Sequence, residues 1–173
     1  MLKRVIPNVL TFINLALGVL AILEIIKENY IASAAFIIIA AFIDRYDGRI
    51  ARRLDVCSEF GKELDSLADL VSFGVAPALL IFNQFNLIEW EKAKLAGLAI
   101  LILYIISGSY RLVRYNINTF EGTFTGVPIT VAGLVLAAYS LLVPISELTV
   151  FIAAALLLIL SLLMVSKLKL KKR

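Results

Sequence analysis

The sequence contains no histidine, only one cysteine, Cys57, and few charged residues for its length. Without histidine the chain cannot use an imidazole as acid or base, and a lone cysteine forms neither an internal disulfide nor a zinc site. Any metal that it binds must take oxygen ligands, which favours magnesium, manganese or calcium. No nucleic-acid partner is expected.

Hydrophobic residues make up 61% of the 173 residues, and charged residues only 17%. One soluble core cannot bury that much apolar surface, so we expect an integral, multi-pass membrane protein. The first apolar run, from Val9, is too long for the apolar region of a signal peptide and is followed by further runs. We therefore expect it to stay in the mature protein.

Six apolar runs are long enough to cross a bilayer, since a transmembrane helix needs about 20 residues. Helices are expected throughout, because lipid cannot satisfy the free edge of a strand. No domain boundary or internal repeat is visible. The sequence therefore predicts an all-α membrane protein in which residues 1–173 form a single domain. This domain should be a bundle of six transmembrane helices, at roughly 9–26, 30–53, 60–82, 95–115, 127–143 and 148–166.

The distribution of basic residues predicts the orientation. All but three of the 17 lysines and arginines lie at the two termini or near the 2–3 and 4–5 connections; the exceptions are Lys27, Lys92 and Lys94. The positive-inside rule makes those ends cytoplasmic, with the chain in the cell membrane. The tail from Lys167 to Arg173 either anchors the chain to anionic head groups or only fixes its topology.

Four acidic residues stand in the second and third apolar runs: Asp44, Asp47, Asp65 and Asp69. A short turn near Val56 makes these helices antiparallel, so Asp47 should lie level with Asp65 and Asp44 level with Asp69. At about 4 Å and an effective dielectric near 20, like charges repel by roughly 4 kcal/mol per pair. Some acids must stay protonated, pair with arginines in a structural network, or hold divalent cations. We favour two cations about 3.5–4 Å apart, bridged by carboxylates.

Small residues share the helix faces that carry these acids, at about 100° per residue. Such side chains leave room for a ligand and let its phosphates approach the backbone. Arg45, Arg49 and Arg53 lie on the other side of the second helix, where they can reach lipid head groups. The small residues are Gly48 and Ala51 on the second helix, and Ser58, Gly61, Ala68 and Ser72 on the third.

Residues 44–69 fit the pattern D-x2-D-G-x2-A-R-x8-G-x3-D-x3-D in full. This pattern resembles the signature of the CDP-alcohol phosphatidyltransferase family, integral membrane enzymes with six transmembrane helices and a bound pair of divalent metals. Residues 6–15 with Gly18, and the segments 111–116 and 124–128, are similar to the phosphatidylserine synthases of that family. The resemblance implies metal-dependent transfer from CDP-diacylglycerol, or CDP-archaeol, to the hydroxyl of L-serine, with release of CMP.

The resemblance also implies roles for single residues. Asp44, Asp47 and Asp65 would hold two Mg²⁺ or Mn²⁺ ions, with Ca²⁺ also suitable, while Asp69 would complete the second metal site and act as the general base. The resemblance also implies a homodimer, the usual oligomeric state of the family. The residues expected to bind the CDP-lipid are Asn8, Thr11, Gly48, Ala51, Arg52, Ser58 and Gly61. The serine site is expected from chemistry instead, because serine is a zwitterion whose carboxylate needs a cation or a bidentate donor. The candidates are Arg111 and Arg114, at one end of the fourth helix, followed by Asn14 and Asn116.

Two other functions remain open. Inositol phosphate or glycerol phosphate could accept the same group, but their dianionic phosphates would need more basic residues than Arg111 and Arg114. Those two arginines could also serve only the positive-inside topology. A divalent-cation transporter would likewise carry acids inside a bundle, but near the midplane and open to both sides. The acids here lie toward one side, which favours the transferase.

Overall fold

The structure, a computed structural model, describes residues 2–54, 58–87, 94–117, 123–166 and 169–171. Each predicted transmembrane segment coincides with one helix in this part of the chain, which confirms the all-α prediction. The largest difference is at the N-terminus, where the first helix starts at Leu2 rather than near Val9. The helices are α1 (Leu2–Ile26), α2 (Tyr30–Leu54), α3 (Glu59–Gln84), α4 (Lys94–Ile117), α5 (Ile129–Leu142) and α6 (Glu147–Val165).

Four of these helices are long and apolar enough to cross a membrane: α1 over Asn8–Ile26, α3, α4 over Leu95–Ile117, and α6. Helix α2 has 25 residues, and its second half carries the charged sequence around Asp44. Helix α5 has only 14 residues, which span about 21 Å at 1.5 Å per residue. That is less than the roughly 30 Å of a bilayer's hydrocarbon core.

A short pair of strands accompanies the helices and was not predicted. The backbone of Thr123–Thr125 (β1) pairs antiparallel with Lys169–Lys171 (β2), and Phe124 lies opposite Leu170. This pairing attaches the basic C-terminal segment to the connection between α4 and α5. Anchoring of that segment to lipid stays a prediction.

Helix α3 lies at the centre of the bundle. Its most apolar stretch is 56% buried, whereas those of α1, α4 and α6 are 28–33% buried. It packs against α1, α2, α4 and α5, while α6 packs mainly on α4. Asp69 of α3 is therefore surrounded by protein, and the other helices present large apolar side chains outward, as expected toward lipid.

The centre of α3 is not a regular α-helix. It is α-helical over Glu59–Asp69, widens to a π-helix over Leu70–Val75, and is α-helical again over Ala76–Gln84. Pro77 explains the change, since its ring crowds the carbonyl four residues earlier and it has no N–H to donate to it. That carbonyl belongs to Phe73, and the buried hydroxyl of Tyr104 in α4 donates to it over 3.1 Å. A residue of a neighbouring helix thus satisfies the group that Pro77 leaves without its usual partner.

Two glycines let neighbouring backbones approach the π-helical segment closely. A Cβ on Gly18 of α1 would lie 2.9 Å from the Cα of Ser72, and one on Gly133 of α5 would lie 3.0 Å from the Cα of Phe73. Both distances are too short for carbon atoms that are not bonded. The segment that follows Asp69 is therefore clamped between α1 and α5 by contacts that only glycine permits.

Candidate active site

Three carboxylates meet where α2 and α3 run side by side. One oxygen each from Asp44, Asp65 and Asp69 lies within 4.8 Å of the others, and Asp69 is only 9% exposed. The carboxyl groups of Asp44 and Asp69 are within hydrogen-bonding reach of each other, so the two residues lie level as the sequence predicted. The backbone of Asp47 lies one helical turn beyond Asp44 in α2, but its side chain is outside the described residues.

This cluster has the chemistry of a site for a hard divalent cation. Carboxylate oxygens are the ligands that such cations prefer, and three of them offer a strongly negative centre. Ionised carboxylates this close repel one another inside a helix bundle, unless protons or cations lie between them. The three acids could therefore hold a metal ion, and the donor set fits one.

Helix α5 contributes a polar side chain to the same cluster. Thr130 lies in its first turn, and its hydroxyl is within hydrogen-bonding reach of the Asp44 carboxyl. A hydroxyl in this position restricts the orientation of the carboxylate, as partners of metal ligands commonly do. Thr130 was not singled out from the sequence. The available signal was a hydroxyl residue two positions after Pro128, at the start of an otherwise apolar run.

Helix α1 approaches the cluster through Asn14, which is fully buried. The side-chain amide of Asn14 donates to Oδ1 of Asp69 over 3.4 Å. The hydroxyl of Ser72, one turn after Asp69, donates to the main-chain carbonyl of Asn14 over 2.9 Å. Asn14 and the segment around Asp69 are thus tied together twice, which fixes the orientation of Asp69.

Helix α4 faces Asp69 with Arg111. This arginine is only 8% exposed, and it is close enough to Asp69 for their opposite charges to attract. Arginine stays charged at any physiological pH, so its burial requires anionic partners. Of the predicted serine-binding residues, Asn14 and Arg111 are the two that the structure brings to Asp69.

The other two predicted serine-binding residues make different contacts. The guanidinium of Arg114 donates to the carbonyls of Met164, Val165 and Ser166 at 3.4, 2.9 and 3.3 Å, at the C-terminal end of α6. This placement suits a cation, because the last carbonyls of a helix carry partial negative charge. Sequence spacing showed Arg114 and Arg111 on one helix end, but it could not show that α6 ends beside Arg114.

Asn116 joins α4 to α3. Its side-chain amide donates to Oγ of Ser66 over 2.9 Å and to Oε1 of Glu63 over 3.3 Å. Its main-chain carbonyl accepts from Nζ of Lys62 over 2.7 Å. None of these partners is Asp65 or Asp69, the acids of the cluster. The described contacts of Asn116 therefore hold the two helices together.

Several residues expected to bind the CDP-lipid lie together at the start of α3. Ser58 caps this helix by accepting from the backbone N–H of Gly61 over 3.0 Å. A Cβ on Gly61 would lie 3.3 Å from Oδ1 of Asn8, so α1 closes on the same turn. Thr11 is buried one turn further along α1, and Gly48 is half-buried on α2. The side chains of Ala51 and Arg52 lie outside the described residues.

Comparison with known proteins identifies the family. The family described as CDP-alcohol phosphatidyltransferase matches residues 4–165. The CDP-diacylglycerol--serine O-phosphatidyltransferase of Bacillus subtilis is 38% identical over 78% of this chain and 75% of the relative. The protein of that name from Methanocaldococcus jannaschii is 35% identical, over 96% and 74%. Archaetidylserine synthase from Methanothermobacter thermautotrophicus is 35% identical, over 94% and 68%. The chain therefore belongs to the CDP-alcohol phosphatidyltransferase family.

Proposed function

We propose that this protein transfers a phosphatidyl or archaetidyl group from a CDP-activated lipid to the hydroxyl of L-serine and releases CMP. The observation that carries the proposal is the convergence of Asp44, Asp65 and Asp69 in a member of this family. Serine as the acceptor is supported by the names of the relatives. Those names include a diacylglycerol donor and an archaetidyl product, so both donor types belong to the proposal.

The metal site consists of Asp44, Asp47, Asp65 and Asp69, which hold two divalent cations, Mg²⁺ or Mn²⁺, with Ca²⁺ also suitable. The described trio supports this assignment through its oxygen donors and close spacing. When bound, these cations supply positive charge against the pyrophosphate of the donor. Thr130 and Asn14 orient the acids from α5 and α1.

Asp69 acts as the general base. The serine oxygen forms a bond to the phosphorus of the lipid phosphate, and the bond from that phosphorus to the oxygen of the departing CMP breaks. The proton of the serine hydroxyl passes to Asp69. The chain has no histidine and one cysteine, so direct attack by the alcohol is simpler than a covalent enzyme intermediate.

The CDP portion binds between α1, α2 and the start of α3. Gly48 and Gly61 allow phosphates to approach the backbone, while Asn8, Thr11 and Ser58 offer polar groups to the nucleotide. The contact region of Asn8, Ser58 and Gly61 supports this part of the proposal. Ala51 and Arg52 complete the assigned set.

The remaining proposals concern the whole molecule. Residues 1–173 form one transmembrane domain in the cell membrane, with the active site toward the cytoplasm, and the protein is a homodimer. The positive-inside rule supports the orientation. Asp44 lies about 20 Å along α2 from Tyr30, near the inner interface, where the pyrophosphate of a lipid donor would lie.

The full-length protein, purified in detergent with Mn²⁺, tests the proposed function. CDP-diacylglycerol and CDP-archaeol are each offered with L-serine, inositol phosphate or glycerol phosphate, and CMP release and product lipids are measured. Serine-dependent CMP release with a serine-containing lipid is the expected result. CMP release only with a phosphorylated alcohol would reassign the acceptor. No transfer to any alcohol, with Mn²⁺ crossing reconstituted vesicles, would favour the transporter.

A further inference from the structure

Two buried polar atoms near Asp69 have no hydrogen-bond partner in the described part of the chain. They are Oδ1 of Asn14 and Nε of Arg111, on residues that are 0% and 8% exposed. Buried polar groups in proteins are nearly always satisfied, so atoms left without a protein partner indicate water or a ligand. Both residues face Asp69, from α1 and from α4.

The hydrogen-bonding character of both atoms is fixed. Asn14 directs its amide nitrogen to Asp69, and an ionised carboxylate can only accept, so the amide cannot be flipped without losing that bond. Its oxygen is therefore an unsatisfied acceptor. The Nε–H of a guanidinium can only donate, so Arg111 offers an unsatisfied donor.

We propose that these two atoms recognise the acceptor alcohol as a zwitterion, an inference that rests on the proposed function. Nε of Arg111 donates to the carboxylate of the amino acid, and Oδ1 of Asn14 accepts from its ammonium group. Asp69 receives the hydroxyl proton. The carboxylate, the ammonium group and the hydroxymethyl group are all attached to Cα of serine, so three fixed partners also select its L-enantiomer.

The same pair of atoms disfavours the alternative acceptors. Ethanolamine lacks the carboxylate and would leave Arg111 without its partner, whereas 3-hydroxypropanoate lacks the ammonium group and would do the same to Asn14. Glycerol phosphate and inositol phosphate bring a dianion and no ammonium group. A site built to hydrogen-bond a group discriminates strongly against analogues without it, because its own buried atoms are left unpaired.

The first test uses the unaltered full-length protein with Mn²⁺ and CDP-lipid. The values of kcat/KM for CMP release are compared for L-serine, D-serine, ethanolamine and 3-hydroxypropanoate. We expect the last three to be lower than L-serine by about 100-fold or more. Equal use of ethanolamine or 3-hydroxypropanoate would overturn the proposal, while leaving transfer to an alcohol intact.

The second test separates the two contacts. Arg111→Gln should raise the KM for serine at least tenfold and reduce the preference for serine over ethanolamine by at least tenfold. Asn14→Leu, which keeps the branching at Cγ but carries no polar atom, should reduce the preference for serine over 3-hydroxypropanoate instead. Arg45→Gln removes the same charge from an exposed position on α2 and should keep the KM for serine unchanged.

The outcomes distinguish this inference from the proposed function. If the unaltered protein releases no CMP with any amino alcohol or hydroxy acid, the proposed function fails. If it uses serine and Arg111→Gln keeps the ratio of serine to ethanolamine, water fills these positions and the zwitterion proposal is wrong. If Arg111→Gln or Asn14→Leu does not fold, the comparison of the four acceptors on the unaltered protein still decides whether the zwitterion proposal holds.

Discussion

The carboxyl groups of Asp44 and Asp69 belong to different helices and lie within hydrogen-bonding reach of each other. Asp65, one turn before Asp69, has an oxygen within 4.8 Å of both. Such a contact is favourable only with a proton or a cation between the oxygens. The three carboxyl groups therefore need a proton or a cation between them, and a bound divalent cation would supply the positive charge.

Removal of divalent cations should abolish transfer. EDTA is expected to stop CMP release from the CDP-lipid, and added Mn²⁺ or Mg²⁺ to restore it, because three close carboxylates need a positive partner. EDTA should also lower the melting temperature of the protein in detergent, since a ligand that binds only the folded state stabilises it. Full transfer in metal-free buffer would contradict the assignment of these acids.

Two acids of α3 should differ in role. Asp69→Asn is expected to keep measurable Mn²⁺-dependent binding of CDP-lipid but to transfer nothing to serine, because an amide cannot accept the proton. Asp65→Asn should lose both binding and transfer. Binding is measured with labelled CDP-lipid, and some weakening in Asp69→Asn is allowed because Asp69 is also a proposed ligand of the second metal. Near-normal transfer by Asp69→Asn would remove it as the base.

Loss of the Thr130 hydroxyl should weaken the metal site. Thr130→Val keeps the shape of the side chain but cannot hydrogen-bond Asp44, so we expect the apparent affinity for Mn²⁺ to fall about tenfold. Binding of Mn²⁺ is followed directly by electron paramagnetic resonance without substrate. Thr130→Ser, which keeps the hydroxyl, is the matched control. Equal Mn²⁺ affinity in all three proteins would show that Thr130 does not orient Asp44.

Tyr104→Phe should destabilise the bundle. The change removes the donor for the Phe73 carbonyl, which Pro77 cannot serve, and interhelical hydrogen bonds of this kind contribute about 1 kcal/mol. The measurement is thermal unfolding in detergent. Tyr110→Phe makes the same chemical change at an exposed position of the same helix and should leave the unfolding temperature unchanged. A similar shift for both variants would contradict the role of this hydrogen bond.

Cysteine labelling can test the orientation. On a background without Cys57, cysteines near positions 56 and 120 should react with impermeant reagents only from the cytoplasmic side. Cysteines near Glu28 and Glu89 should react only from outside, because basic residues concentrate at the opposite ends. The reverse pattern would overturn the charge-based orientation. An odd number of crossings would overturn the count of six spans.

The sequence predicted the helices and the acidic cluster because both depend on local spacing. Apolar runs of about 20 residues fix the helices, and a short turn between α2 and α3 brings Asp44 level with Asp69. Asn14 and Arg111 were expected for a different reason, because a zwitterionic acceptor such as serine needs polar and cationic partners.

Contacts between distant helices could not be predicted in this way. Arg114 binds carbonyls at the end of α6, Thr130 reaches Asp44, and the Tyr104 hydroxyl donates to a backbone carbonyl of α3. Each pair is far apart in sequence and depends on how the helices pack. The pairing of β1 with β2 also escaped prediction, because neither three-residue strand has an alternating pattern long enough to recognise.

Because of the π-helical segment at Leu70–Val75, the position of the acids depends on the number of residues in α3 as well as on their side chains. A π-helical turn takes about one residue more than an α-helical turn, so a one-residue deletion between Asp69 and Pro77 can be absorbed by a return to α-helical geometry. A one-residue insertion would instead rotate the two halves of α3 by about 100°. With the Pro77 half held by its neighbours, Asp65 and Asp69 would then turn away from Asp44 and Asn14. We expect such an insertion to be as damaging as losing an acid, although it would remove no functional side chain.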